Sequence, residues 1–232
     1  MFSSNVVFVV DTPAMYSSER MSSYMAEQSG RMDRQWVRHV IAGEQESECV
    51  KVRTSQFVVL PDGVSDGCHK MRGLGASVNS LRLAQRGQLN WLVIATDPAL
   101  RTIRDLRGEH LGLLRSIRTE CLAAVKTEFN VQPGDVMIFA NYPPSVYTLH
   151  FHVCCPFKVA APFEAFRMHT LESVIHHLEV DSEYYTKYNL HIPVSCSSRL
   201  YRALLPSNPE NLNVLRQALQ YWKRKCHESP DI

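Results

Sequence analysis

The 232-residue chain is 45% hydrophobic with a formal net charge of +2. It has enough apolar material for a sizeable core and too little charge to bind nucleic acid by bulk electrostatics. No run of about 18 apolar residues marks a transmembrane helix, so no membrane partner is expected. The apolar opening at 5–10 lacks the basic flank of a signal peptide. Seven cysteines, an odd number without a Cys-x-x-Cys, fit reduced thiols in a cytoplasmic or nuclear protein better than a disulfide framework or zinc site.

Residues 5–10 read as a strand and 11–31 as a polar linker or weak helix. Asp33 is placed to N-cap a short helix over 34–42 whose apolar face is Trp36, Val37, Val40 and Ile41. Gly43 ends it. Two β-like runs, 49–52 and 56–60, lead to a Pro61-Asp62-Gly63 turn. Residues 63–88 hold five glycines and no clean period, the pattern of a long loop. Residues 90–95 are the strongest strand of the first half. Residues 106–110 open a helix to about 130, with Leu111, Leu114, Ile117, Leu122, Val125 and Phe129 at helical period. Strands at 134–141 and 146–154 make a hairpin through Asn141-Tyr142-Pro143-Pro144-Ser145. Helices near 170–179 and 209–225, with a strand near 187–194, complete the chain. This order predicts an α+β fold, a mainly antiparallel sheet with flanking helices.

The run Thr148-Leu149-His150-Phe151-His152-Val153 alternates polar and apolar residues. As a strand it puts Thr148, His150 and His152 on one face, successive side chains roughly 6.5–7 Å apart. That spacing suits two imidazoles handling one phosphate group, one attacking and one donating a hydrogen bond. A neutral imidazole is nucleophilic near pH 7. The same spacing equally serves two structural strand histidines or half of a metal site.

Trp36 and Glu46 form a second candidate pair. An aromatic face attracts a cationic ring, and a carboxylate accepts hydrogen bonds from a guanine edge. N7-methylguanine is planar and cationic. The plain alternative is a core tryptophan and a solvated glutamate in the acidic stretch Glu44, Glu46, Glu48. Arg101, Arg104 and Arg107 either bind phosphate or form a solvated helix opening paired with Asp105 and Glu109. His176-His177 and Trp222-Lys223-Arg224-Lys225 read as surface features.

In order along the chain, these blocks resemble the scavenger mRNA-decapping enzymes of the histidine-triad superfamily. Gln35-Trp36-Val37, with Glu46 ten residues after the tryptophan, looks like the cap-stacking and guanine-reading pair. Leu60-Pro61-Asp62 looks like the family's Pro-Asp turn. Leu100-Arg101-Thr102-Ile103-Arg104-Asp105-Leu106 with Glu109-His110-Leu111 is similar to the family's lead into its long helix. Pro144-Ser145 and Leu149-His150-Phe151-His152 look like the phosphate turn and triad strand. Leu171 to Tyr184-Tyr185 resembles the following helix and tyrosine.

The resemblance implies a histidine-triad fold and hydrolysis of N7-methylguanosine cap dinucleotides or short capped RNA to N7-methyl-GMP and a nucleoside diphosphate. His150 would be the nucleophile of a covalent nucleotidyl intermediate. Trp36, Glu46, Asp62, Asn141, Ser145, Thr148 and His152 would bind substrate. It implies no cofactor, no metal, and a homodimer. Residues 1–32 would be a remnant of the family's swapped N-terminal domain, and 33–232 the catalytic domain with an insertion at 63–88. Three positions depart from the family pattern. Thr148 replaces the first triad histidine, Asn141 replaces an upstream histidine, and Val64 falls near a phosphate-binding lysine. A catalytically degenerate cap- or nucleotide-binding protein is therefore the alternative.

Overall fold

Residues 57–60 and 91–95 are apolar without interruption, the pattern of strands covered on both faces. The computed structural model of the chain, which describes residues 6–62, 89–155 and 166–204, places both runs at the heart of a sheet. The loop expected over 63–88 and the helix expected over 209–225 lie outside the described residues.

The strands are β1 (Val6–Asp11), β2 (Val52–Arg53), β3 (Phe57–Pro61), β4 (Asn90–Ala95), β5 (Met137–Asn141), β6 (His150–Cys154), β7 (Met168–Thr170) and β8 (Leu190–Ser195). The α-helices are α1 (Pro13–Tyr16), α2 (Glu19–Ser29), α3 (Trp36–Ala42), α4 (Leu111–Phe129), α5 (Leu171–Val180), α6 (Tyr184–Lys187) and α7 (Arg199–Leu204). The fold is α+β, as the order of elements predicts. No described helix is long and apolar enough to cross a membrane.

The chain divides into two units, 28–186 and 1–27 with 187–232. A sequence division at 32/33 attaches residues 187–232 to the larger segment. Of these, the described residues 187–204 fall with the N-terminal residues, where β1 pairs antiparallel with β8 along its whole length. The smaller unit also contains α1, most of α2, and α7, with Met15, Met21, Met25, Leu200 and Leu204 buried. Residues 11–31 are thus more helical than their composition suggests. The buried face of α2 is Met21 and Met25, one turn apart, among serines and charges. Two methionines in eleven residues make a weak hydrophobic stripe.

The larger unit holds a six-stranded sheet in the order β2-β3-β4-β6-β5-β7, every neighbouring pair antiparallel. Its two faces follow from the two-residue strand period. Val58, Leu60, Leu92 and Ile94 pack with Val37 and Val40 of α3, and Trp36 and Ile41 border that cluster. The intervening Phe57, Val59, Trp91 and Val93 are buried on the other face, where Trp91 meets Phe129 of α4 at 5.6 Å between ring centroids. Each fully buried side chain of this size contributes roughly 1.5–3 kcal/mol. The buried stripe of α4 is Leu113, Leu114, Ile117, Cys121 and Val125. Leu111, Leu122 and Phe129 flank it.

Three local expectations are corrected. Asp33 does not cap α3. Its carboxylate accepts two bonds from Arg31, at 3.0 and 3.1 Å, residues Met32–Arg34 form a 3-10 turn, and Gln35 stands at the N-cap with no side-chain bond. The strand expected from 134 begins at Met137, because Pro133–Asp135 is a 3-10 turn. Arg104 is not a solvated cation. It is 1% exposed, donates to the Tyr185 carbonyl at 2.9 Å and lies over the Tyr142 ring. Arg101 does pair with Asp105, at 3.3 Å. Gly43 ends α3 as expected, with φ +78° and its N–H on the Val40 and His39 carbonyls.

Candidate functional site

The β4–β6 register sets His152 opposite Leu92 and His150 opposite Ile94. Cross-strand partners share a face. Both imidazoles therefore stand on the face that carries Leu60, Leu92 and Ile94, beyond the edge of α3. The same period carries the face along β3 from Leu60 to Asp62. On β5, Phe139 is opposite His152 and stacks on it, centroids 5.1 Å apart. Asn141, two residues on, completes that side.

Here the sheet face forms a cleft of about 220 Å³ lined by Arg34, Trp36, Val37, Asp62, Leu92, Ile94, Ser145, Val146, Thr148, His150 and His152. Six of the eight residues singled out from sequence meet in it: Trp36, Asp62, Ser145, Thr148, His150 and His152. Asn141 does not line the cleft but touches His152, its Nδ2 3.4 Å from Nε2. Glu46 lies outside the lining. It follows the Gly43 turn in a left-handed conformation, φ +56°, and burial raises its pKa. Thr148 reaches the cleft from the segment before β6, which starts at His150. That segment is clamped. Leu149 donates to the Leu100 carbonyl at 2.8 Å and accepts from Ala95 N–H at 2.9 Å.

Hydrogen-bond chemistry decides the tautomer of His150. Its Nδ1 lies 2.7 Å from the Thr148 carbonyl oxygen, which can only accept. Nδ1 therefore carries the proton, and the neutral ring keeps its lone pair on Nε2. Burial lowers the His150 pKa, outweighing the opposing pull of that hydrogen bond and of Asp62. His152 is lowered as well, to about 4, by burial and then by neighbouring His150. Its Nδ1 faces Asp62 at 3.8 Å, and its Nε2 accepts from the Asn141 amide. At neutral pH both rings are uncharged, so the cleft presents lone pairs and N–H donors.

Sequence reading missed Arg34, Val37, Leu92, Ile94 and Val146. The apolar four were legible as the strand period and as the helix face beside Trp36. Arg34 stands two residues before Trp36, and nothing in the sequence marks it as facing the same space.

The family profile for "Scavenger mRNA decapping enzyme C-term binding" matches residues 35–169, more than half of the chain and nearly all of the sheet that builds the cleft. The chain belongs to the scavenger mRNA-decapping family. It is 30% identical over 149 residues to an m7GpppX diphosphatase of Schizosaccharomyces pombe, covering 62% of this chain and 43% of that protein. With the Bos taurus m7GpppX diphosphatase it shares 33% identity over 106 residues, 46% of this chain and 32% of the other. With that of Homo sapiens it shares 29% over 120 residues, 52% and 36%. The chain thus spans less than half the length of these curated relatives. The decapping-family match ends at His169. That residue lies on β7 across from Ala140 of β5, and burial lowers its pKa to about 4. The neighbouring His177 is no idle surface residue: it stacks on Tyr184 at 4.2 Å and bonds the Tyr185 hydroxyl at 3.1 Å.

Proposed function

We propose that the cleft binds N7-methylguanosine cap dinucleotides or short capped RNA and hydrolyses the phosphoanhydride through His150. The observation that carries this reading is the Nδ1–H bond of His150 to the Thr148 carbonyl. It aims an unprotonated Nε2 into the cleft, and the lowered pKa keeps that atom free of a proton at neutral pH. Attack of the Nε2 lone pair on the phosphorus nearest the methylated nucleoside forms an N–P bond and breaks the bridging P–O bond. The nucleoside diphosphate leaves, and water then cleaves the N–P bond to give N7-methyl-GMP and free His150.

The other residues take roles their chemistry allows. Trp36, packed at the core edge, offers a face to the cationic base. Glu46 accepts hydrogen bonds from the guanine edge, and N–H donors there favour its ionised form. Ser145 and Thr148 contact phosphate oxygens with hydroxyls. His152, neutral and held by Asn141, donates Nδ1–H toward the phosphates or Asp62 rather than supplying charge.

Incubation with methylated and unmethylated cap dinucleotides, repeated with His150→Ala, tests the reading. Methylated cap is expected to be cleaved and unmethylated cap spared, with turnover falling at least about a thousandfold in the variant. Equal cleavage of both caps removes the methylguanine assignment. A second reading, a binding protein that has lost turnover, is favoured by one observation: a threonine, Thr148, lines the cleft at the first triad position. Micromolar cap binding without hydrolysis would establish it.

A further inference from the structure

A cleft that holds a chain of phosphates needs positive charge, and its imidazoles do not supply it. At neutral pH both rings are uncharged, and the carboxylate of Asp62 faces the same space. Among the described residues that line it one cation remains, Arg34.

The guanidinium of Arg34 is poorly satisfied where it stands. Its Nε is buried and makes no hydrogen bond among the described residues. The carboxylate oxygen it approaches, Asp33 Oδ2, is 3.6 Å away and already accepts from Arg31 Nη2 at 3.1 Å. The side chain is 30% exposed, so the group is partly dehydrated, charged and incompletely paired. Leaving such a donor unmet costs about 1–3 kcal/mol, and an incoming oxyanion would recover it. The charge is also felt at the reaction centre, where it is one of the influences that disfavour protonation of His150.

We propose that Arg34 is a phosphate-binding residue of this cleft, gripping the phosphate chain of the nucleotide whose base Trp36 holds. The assignment rests on the cap-nucleotide reading above. Arg34 ends the 3-10 turn Met32–Arg34, and Trp36 opens α3 two residues later. One short rigid segment therefore carries both the cation and the ring. A planar guanidinium makes two parallel bonds to one phosphate, which fixes orientation as well as charge. It supplies the positive charge that Thr148, in place of an imidazole, does not. Charge that develops on the phosphoryl oxygens during attack would meet a fixed cation.

The test is calorimetric titration of wild type, Arg34→Gln and Arg34→Lys with N7-methyl-GDP, N7-methylguanosine and inorganic pyrophosphate. Arg34→Gln is expected to weaken N7-methyl-GDP by about tenfold or more and to leave the phosphate-free nucleoside within about twofold. Arg34→Lys recovers part of the loss, and pyrophosphate displaces N7-methyl-GDP from wild type more readily than from Arg34→Gln. Unchanged nucleotide affinity in Arg34→Gln overturns the assignment. So does an equal loss for nucleoside and nucleotide, which marks a structural role, and so does wild type that binds neither nucleotide nor pyrophosphate. The cap reading fails by a different result. If GDP and N7-methyl-GDP bind alike and Arg34→Gln weakens both, the base assignment falls and the Arg34 assignment holds.

Discussion

The rings of His150 and His152 meet edge to face, centroids 5.5 Å apart and 75° between planes. His150 makes His152 harder to protonate, since a charge on one ring would sit beside the other in a half-buried cleft. His150 keeps its Nε2 lone pair, and His152 keeps its own lone pair turned to the Asn141 amide. On the proposed reading, the pair serves as one nucleophile and one neutral hydrogen-bonding partner.

Activity should therefore persist into mild acid. Protonation of His150 removes the nucleophile, and its pKa lies below the ordinary histidine value of 6.5. The acid limb of kcat/KM against pH, which reports the free enzyme, is expected to have its midpoint below 6.5. A midpoint at or above that value would contradict the buried neutral imidazole.

Folding stability should respond to the same burial. His152 and His169 have folded pKa values of about 4 against 6.5 unfolded. As pH falls the unfolded chain takes up these protons first. Their contribution is complete above pH 6.5 and is lost progressively from there to pH 4, a loss on the order of 3 kcal/mol per group. Urea titrations at pH 7 and pH 5 measure it. Acidic side chains add their own pH dependence, so the decisive comparison is His169→Gln, which should lose less stability than wild type between those two values.

Trp36→Ala should bring the affinities for methylated and unmethylated guanine nucleotides together. A desolvated cation–π contact is worth about 2 kcal/mol, roughly thirtyfold in affinity. Fluorescence titration of both nucleotides against both proteins reads the difference. A variant that keeps its preference for the methylated base would remove Trp36 from base recognition.

Two glycines should respond in opposite ways to alanine. A Cβ on Gly108 would lie 2.7 Å from Ser182 Cβ and 3.3 Å from its Cα. The two segments are tied by a 2.8 Å bond from Gly108 N–H to the Ser182 carbonyl and have little room to part. Gly108→Ala should cost about 1–3 kcal/mol. Gly112, in the first turn of α4, has nothing within 4 Å of an added Cβ, so Gly112→Ala should gain about 0.5 kcal/mol. Thermal melts of the two variants should shift in opposite directions.

Much of the site was legible before folding because it lies on strands, where a two-residue period assigns faces. That His150 and His152 share one face, and that Leu92 and Ile94 share one face, follow from that rule alone. Trp36 was legible as one position on an amphipathic helix, although spacing did not distinguish a core tryptophan from a ring facing a ligand. The weaker readings fell where side chains choose among competing partners. Asp33 had the right position for a cap, and Arg31 took its carboxylate. Arg104 looked like one of several surface arginines, and a carbonyl 81 residues away made its burial tolerable.

By itself the sequence determined the types of the strongly periodic elements, the face on which the two histidines stand, and the family, since these depend on local period and on ordered blocks of residues. Tertiary structure decided the rest. It paired β4 with β6 across more than fifty residues, chose the tautomer of His150 by bringing it to the Thr148 carbonyl, and turned Arg34 into the same cleft. Each is a contact between groups whose spacing along the chain carries no period, so only the closed sheet and the helix packed on it could set them.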